Sequence, residues 1–298
     1  MEEKPIGMSK GTYRLSKFFM YIPLVILAVC IIVPVFWVFM ASVKENSEFY
    51  RSPWALPAKL HWENFANAWH KANMGSYMLN SVIVTALGIF LLIVIALPAA
   101  YVLSRCTFKS KKFWNFLFMA GLFINVNYIV VPIFLMLTKG ERLFYSLFSL
   151  ENVFLNNLVM LAIVYAATAL PFTIYLLSGY FKSLSKTYEE AAYVDGASYF
   201  RTMVQIIFPM AKPSIVTIVL FNFLAFWNEY IISMTLLVDP KLKTLPVGLM
   251  NLMAAERSAA EYGRMYAGLV IVMLPVLIVY MLVQKRLTQG MTVGGIKE

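Results

Sequence analysis

Six long apolar runs follow one another along the chain, separated by short polar segments. They lie at roughly Phe18–Val43, Leu79–Leu103, Phe113–Leu137, Leu155–Leu177, Ser214–Val238 and Tyr266–Val283. A helix needs about 20 mostly apolar residues to cross a bilayer, and each run is near that length. The pattern predicts an all-α, polytopic membrane protein with six transmembrane helices. Residues 1–298 then form a single membrane domain, with no segment left over for a soluble one. Basic residues precede the first run, as in a signal peptide, but its apolar stretch is too long and no small-residue cleavage site follows.

Composition supports this. Hydrophobic residues make up 61% of the chain and charged residues 13%, about half of the roughly 25% usual in soluble domains. The net charge of +10 would suit a nucleic acid or a membrane surface, and its distribution decides between them. With the N-terminal tail 1–17 inside, the inner segments hold fifteen basic and six acidic residues and the outer ones ten and eight. This leaves +9 inside and +2 outside, the asymmetry expected of a positive interior. Both termini are therefore expected in the cytoplasm, and no nucleic-acid partner is needed to explain the charge.

Several chemistries find no support. Cys30 and Cys106 lack a disulfide context and are expected to be reduced. Two histidines, His61 and His70, are too few for a His-rich metal site. The string Gly7-Met8-Ser9-Lys10-Gly11 matches a hydrolase elbow, but it lies in a polar tail and not between a strand and a helix. No phosphate-binding loop occurs, so no catalytic residue, metal or cofactor is assigned, and any ATP must be bound by another subunit. No internal repeat is visible, which weighs against a secondary transporter driven by an ion gradient.

The segment from Ser183 to Pro213 is the most informative. Thr187 and Glu190 have capping-box spacing, predicting a short helix from about Tyr188. Gly196 can end it, and a second helix can follow over about Ser198 to Ile207 before Pro209 and Pro213. Glu190-Ala191-Ala192, Gly196, Ile206 and Pro209 have the spacing of the EAA loop of binding-protein-dependent ABC importer permeases, with Phe208 where that motif usually has Leu. The segment resembles that loop. Phe226-Trp227-Asn228-Glu229-Tyr230, Thr244–Leu249, Gly290–Lys297, Trp62–Phe65 and Asn80-Ser81 are similar to stretches of the maltose-type sugar permeases, smaller six-span subunit.

The resemblance implies a bacterial plasma-membrane permease for carbohydrate, probably the half-pore of an oligosaccharide importer in the sense that a homologous second permease completes the pathway. It also implies a cytoplasmic ATPase dimer, which binds the ATP, and an extracellular solute-binding protein. Within the loop, over 183–213, it assigns ATPase coupling to Glu189, Glu190, Ala191, Ala192, Asp195, Gly196 and Ala197, and it puts binding-protein contacts in the outer loop Asp239–Arg264.

Glu229 is costly within a span and is expected either to face a cavity or to pair near a helix end with the partner permease. Asn222, one heptad earlier, and adjacent Trp227 and Asn228 complete a candidate pathway lining, since sugars are held by polar side chains and aromatic faces. Asn125, Asn127 and Tyr128 are further candidates. Pro98, Pro132, Pro171 and Pro275 suggest kinks. Trp62, Phe65, Ala66 and Trp69 form one apolar helix face suited to the membrane interface.

Overall fold

The computed structural model describes the backbone of residues 10–293 and the side chains of 17–284. The Gly7–Gly11 string lies mostly outside the described residues, and so does much of the Gly290–Lys297 stretch. All regular elements among the described residues are helical. They are α1 (Lys10–Ser42), α2 (Asn46–Arg51), α3 (Glu63–Lys71), α4 (Met74–Arg105), α5 (Lys111–Gly121), α6 (Val126–Phe148), α7 (Leu158–Ser183) and α8 (Thr187–Val194). A rod then runs through α9 (Tyr199–Thr202), a π-helical turn (Met203–Ile207) and α10 (Phe208–Met210). It is followed by α11 (Lys212–Trp227), α12 (Ile231–Leu236), α13 (Leu245–Ser258) and α14 (Tyr262–Val293).

Four helical stretches are long and apolar enough to cross a membrane alone: Lys17–Ser42, α4, α7 and Tyr262–Gln284. Two bent pairs bring the number to six: α5 with α6, at 105°, and Tyr199–Met210 with α11, at 72°. The expected third span is thus not one helix. The fifth is also divided, because α11 stops at Trp227 and α12 begins at Ile231. Sixteen residues of α11 extend only about 24 Å, short of a hydrocarbon core of about 30 Å. The prolines do not make these breaks. Pro98, Pro132, Pro171 and Pro275 all sit inside continuous helices.

Two compact units divide the chain by contacts. One takes the chain to Trp69 together with Leu252–Ile271. In it Trp37 packs against Phe49, Trp54 and Tyr266, and Phe49 stacks on Tyr262 at 4.8 Å. Lys44 is buried, its Nζ donating to the Ser52 and Pro53 carbonyls, each at 3.0 Å. Burial holds this ammonium below its ordinary pKa, opposed by the nearby Glu48 charge. On α3 the packed residue is Ala68, while Trp62, Ala66 and Trp69 of the predicted apolar face stay exposed. α1 exposes large apolar side chains from Phe18 to Phe36, which water does not favour.

The other unit takes His70–Asn251 and the chain from Val272. Its centre is the pairing of α4 with α7. Leu92, Ala96 and Ala100 recur every four residues on α4, all buried, and Ala162 and Ala166 are buried on α7. Small residues at that spacing let two helices approach closely, the main source of attraction between helices in lipid. α11 closes on the pair through Phe226, whose ring lies 5.2 Å from that of Tyr165.

Candidate functional site

The loop after α7 forms the predicted pair of short helices. α8 starts at Thr187, but the expected capping box is not made: the Thr187 N–H and hydroxyl both meet the Ser185 hydroxyl, at 3.3 and 2.8 Å. Serine sits one turn too early for the box, and it takes the local bond first. Gly196 turns the chain at φ +78°, with no atom within 4 Å of the position a Cβ would take. Ser198 then caps α9 by accepting from the Arg201 N–H.

The seven coupling candidates separate by face. Glu190, Ala191, Asp195 and Gly196 are exposed and Ala197 half-buried. Ala192 and Glu189 are buried. Glu189 accepts from the Tyr101 hydroxyl at 3.0 Å and pairs with the Arg105 guanidinium at 3.5 Å. Arg105 also donates to the Leu184 carbonyl at 2.6 Å. Glu189 thus fastens α8 to the end of α4. The neighbouring Tyr193 hydroxyl is held above its ordinary pKa by burial and then by the Glu189 charge, and remains protonated at neutral pH. Around the outward carboxylates, Tyr188, Val194 and Phe200 are exposed, so this knob presents apolar and acidic groups together.

The bend between α5 and α6 lies halfway along α7. A Cβ on Gly121 would come 2.8 Å from Pro171 Cγ, and Pro171 is central in Leu158–Ser183. Only glycine permits that approach. Past it, Phe123, Ile124, Asn125, Asn127 and Tyr128 are exposed. Asn125 caps α6 by accepting from the Asn127 N–H at 3.0 Å. The Leu122 and Phe123 carbonyls accept no hydrogen bond among the described residues.

At the α11–α12 break the four pathway candidates have different surroundings. Asn222 is buried, donating to Thr173 Oγ1 and the Ile218 carbonyl. Trp227 is buried, donating from Nε1 to the Val272 carbonyl at 3.3 Å. Asn228 is exposed and bonds back to the Leu224 carbonyl. Glu229 is half-buried and accepts three bonds: from the Ile232 and Ser233 N–H groups at 2.8 and 3.0 Å, and from the Tyr165 hydroxyl at 2.8 Å. Its carboxylate caps α12. Within this chain the four do not form one exposed patch.

Sequence reasoning missed the polar stitching beside this break. Ser233 and Thr244 share a hydrogen bond of 2.6 Å, the Leu245 N–H donates to Ser81 Oγ, and the Asn80 amide donates to the Lys241 and Lys243 carbonyls. Asn80-Ser81 and Thr244-Leu245 had stood only as separate points of resemblance. Each supplies hydrogen bonds to backbone or hydroxyl groups that lipid could not satisfy.

The family described as binding-protein-dependent transport system inner membrane component matches residues 93–293. The diacetylchitobiose uptake system permease protein NgcG of Streptomyces coelicolor is 35% identical over 91% of this chain and 86% of its own length. The trehalose/maltose transport system permease protein MalG of Thermococcus litoralis is 28% identical over 95% of this chain and 98% of its own. A chain from the crystal structure of a bacterial ABC transporter involved in the import of the acidic polysaccharide alginate superposes with a TM-score of 0.76 at 24% identity, covering 95% of this chain and 99% of that one.

Proposed function

This chain belongs to the family of inner membrane components of binding-protein-dependent transport systems, and from that premise we propose that it is a permease subunit importing carbohydrate. Relatives whose names give a diacetylchitobiose, a trehalose/maltose or a multiple-sugar system support the substrate class. It shares the pathway with a homologous second permease, receives solute from an extracellular binding protein and performs no chemistry on it. ATP is bound by a pair of cytoplasmic ATPases. Their closure moves the knob around Glu190–Gly196, and the spans rock between outward and inward openings. ATP drives the cycle only through its unequal affinity for the two states. Both termini lie in the cytoplasm. An ion-gradient carrier is not favoured.

The observation that carries this reading is the knob itself: two short capped helices turned at Gly196, fastened from within by Glu189 and presenting Glu190, Ala191 and Asp195 outward. Space around Gly196 is open, so a side chain there is opposed only by the backbone. A left-handed residue other than glycine costs about 1–2 kcal/mol, least for asparagine. Import by the reconstituted importer should therefore fall in the order Gly196→Asn, Gly196→Ala, Gly196→Val, with the chain still inserted. Undiminished, ATPase-coupled import by the valine variant would refute the assignment.

The two breaks support a pathway in this unit. Non-helical backbone at membrane depth is tolerated only inside protein or against a water-filled cavity. The exposed 123–128 elbow and Asn228 are the parts that face outward, and their amides and aromatic rings suit a sugar. Cysteines replacing Asn127 or Asn228 should react with polar thiol reagents at rates that change when ATP is added to the assembled importer. Cysteines at buried Asn222 and Trp227 should not react. Inertness of both exposed positions in every nucleotide state would remove them from the pathway.

A further inference from the structure

A groove of ≈ 530 Å³ opens between the cytoplasmic end of α4 and the first turns of α5. Pro98, Ala99, Val102 and Leu103 form one wall, and Trp114 and Phe118 the other. Its volume is in the range of sites that hold small ligands, about 300–1,000 Å³, yet no polar group of the wall points to a soluble one. The mouth is fixed by Lys111, one turn before Trp114. Its Nζ donates to the Ser104 and Cys106 carbonyls at 3.3 and 2.8 Å, tying the start of α5 to the end of α4.

Charge gathers at this mouth. Lys109 and Lys112 are exposed and make no ion pair in the structure. No acidic residue occurs from Ser104 to Gly121. The nearby Arg105 is already committed to Glu189. Two unpaired cations thus stand above an apolar slot whose floor runs into the membrane. A neutral helix from another subunit would fill the slot but leave the cations unmatched. A lipid with an anionic headgroup satisfies both parts.

We propose that this groove binds an anionic phospholipid of the inner leaflet, one acyl chain between α4 and α5 and the phosphate at Lys109 and Lys112. The leaflet, though not the groove, rests on the cytoplasmic orientation proposed above. A cation at the surface of an anionic leaflet contributes a factor of about five in affinity. Removing two should therefore cost roughly ten- to thirty-fold.

The importer, and variants of it, are extracted in mild detergent from vesicles of equal parts phosphatidylglycerol and phosphatidylcholine, and the lipid retained per complex is counted by mass spectrometry. Wild type is expected to retain phosphatidylglycerol in preference. Lys109→Gln with Lys112→Gln should lower that affinity roughly ten- to thirty-fold, and these exposed changes leave the fold intact. Ala99→Trp, which fills the groove, should release the lipid with both lysines present. Equal retention of phosphatidylcholine, or unchanged retention in both variants, would overturn the proposal. So would a cross-link from a cysteine at Phe118 to the second permease, which would put a protein helix in the groove. Labelling of Cys106 by an impermeant reagent from outside would instead refute the orientation, while the lipid count would still decide the groove.

Discussion

Replacing Glu189 by alanine should destabilise the α4–α8 junction by about 3 kcal/mol and uncouple ATP hydrolysis from import. The Glu189 carboxylate is buried where it receives the Tyr101 hydroxyl and faces Arg105. Breaking a buried pair by removing one partner costs about 3–5 kcal/mol, because the other charge is left without compensation. The lower end applies here, since Arg105 keeps its bond to the Leu184 carbonyl. Glu189→Gln should recover part of the loss, retaining an acceptor for Tyr101 but no charge for Arg105. Glu190→Ala, one residue on and exposed, should leave stability unchanged and affect only contact with the ATPases. Thermal unfolding of the detergent-solubilised chain separates these, and a double-mutant cycle with Arg105→Ala isolates the pair. A Glu189→Ala variant as stable as wild type would show that the junction is held by other contacts.

That contrast marks what the sequence could tell. The capping serine and the glycine turn of the knob are local features, legible from spacing alone. Which of two adjacent glutamates turns inward is not local. It depends on Tyr101 and Arg105, more than 80 residues earlier, reaching the same helix. The long apolar runs were likewise legible as spans, because a continuous run needs only counting. Their breaks were not. Nothing between Ser214 and Val238 interrupts the hydropathy strongly enough to stop α11 at Trp227. The chain stops there because Glu229 offers its carboxylate to the next N–H groups and Tyr165 holds it in place. The heptad spacing of Asn222 and Glu229 suggested one polar face, but Asn222 spends its amide inside the bundle on Thr173. At the α5–α6 bend, Gly121 was visible as a glycine, while its reason, the approach of Pro171, was not.

Glu229→Ala should therefore act first on the fold and only then on transport, with a loss of about 3–5 kcal/mol. Three donors lose their acceptor at once: the Ile232 and Ser233 N–H groups and the Tyr165 hydroxyl. Tyr165 is almost wholly buried, as are Ile232 and Ser233, so water cannot freely replace the carboxylate. Each buried donor left unmatched costs about 1–3 kcal/mol, and loss of a helix cap alone is worth about 0.5–2 kcal/mol. Glu229→Gln leaves a single carbonyl oxygen for three donors and turns an amide N–H₂ toward one of them, so it should lie between wild type and alanine. Tyr165→Phe removes one donor and leaves the cap of α12 in place, and should cost about 1 kcal/mol. Because Tyr165 and Glu229 share a bond, the double variant Tyr165→Phe with Glu229→Ala should be more stable than the sum of the single losses predicts. Unfolding of the purified chain in detergent measures all four. Additive losses would mean that the hydroxyl and the carboxylate do not act together. A Glu229→Ala variant with unchanged stability and lost import would move this residue from the scaffold of the break to the solute route itself.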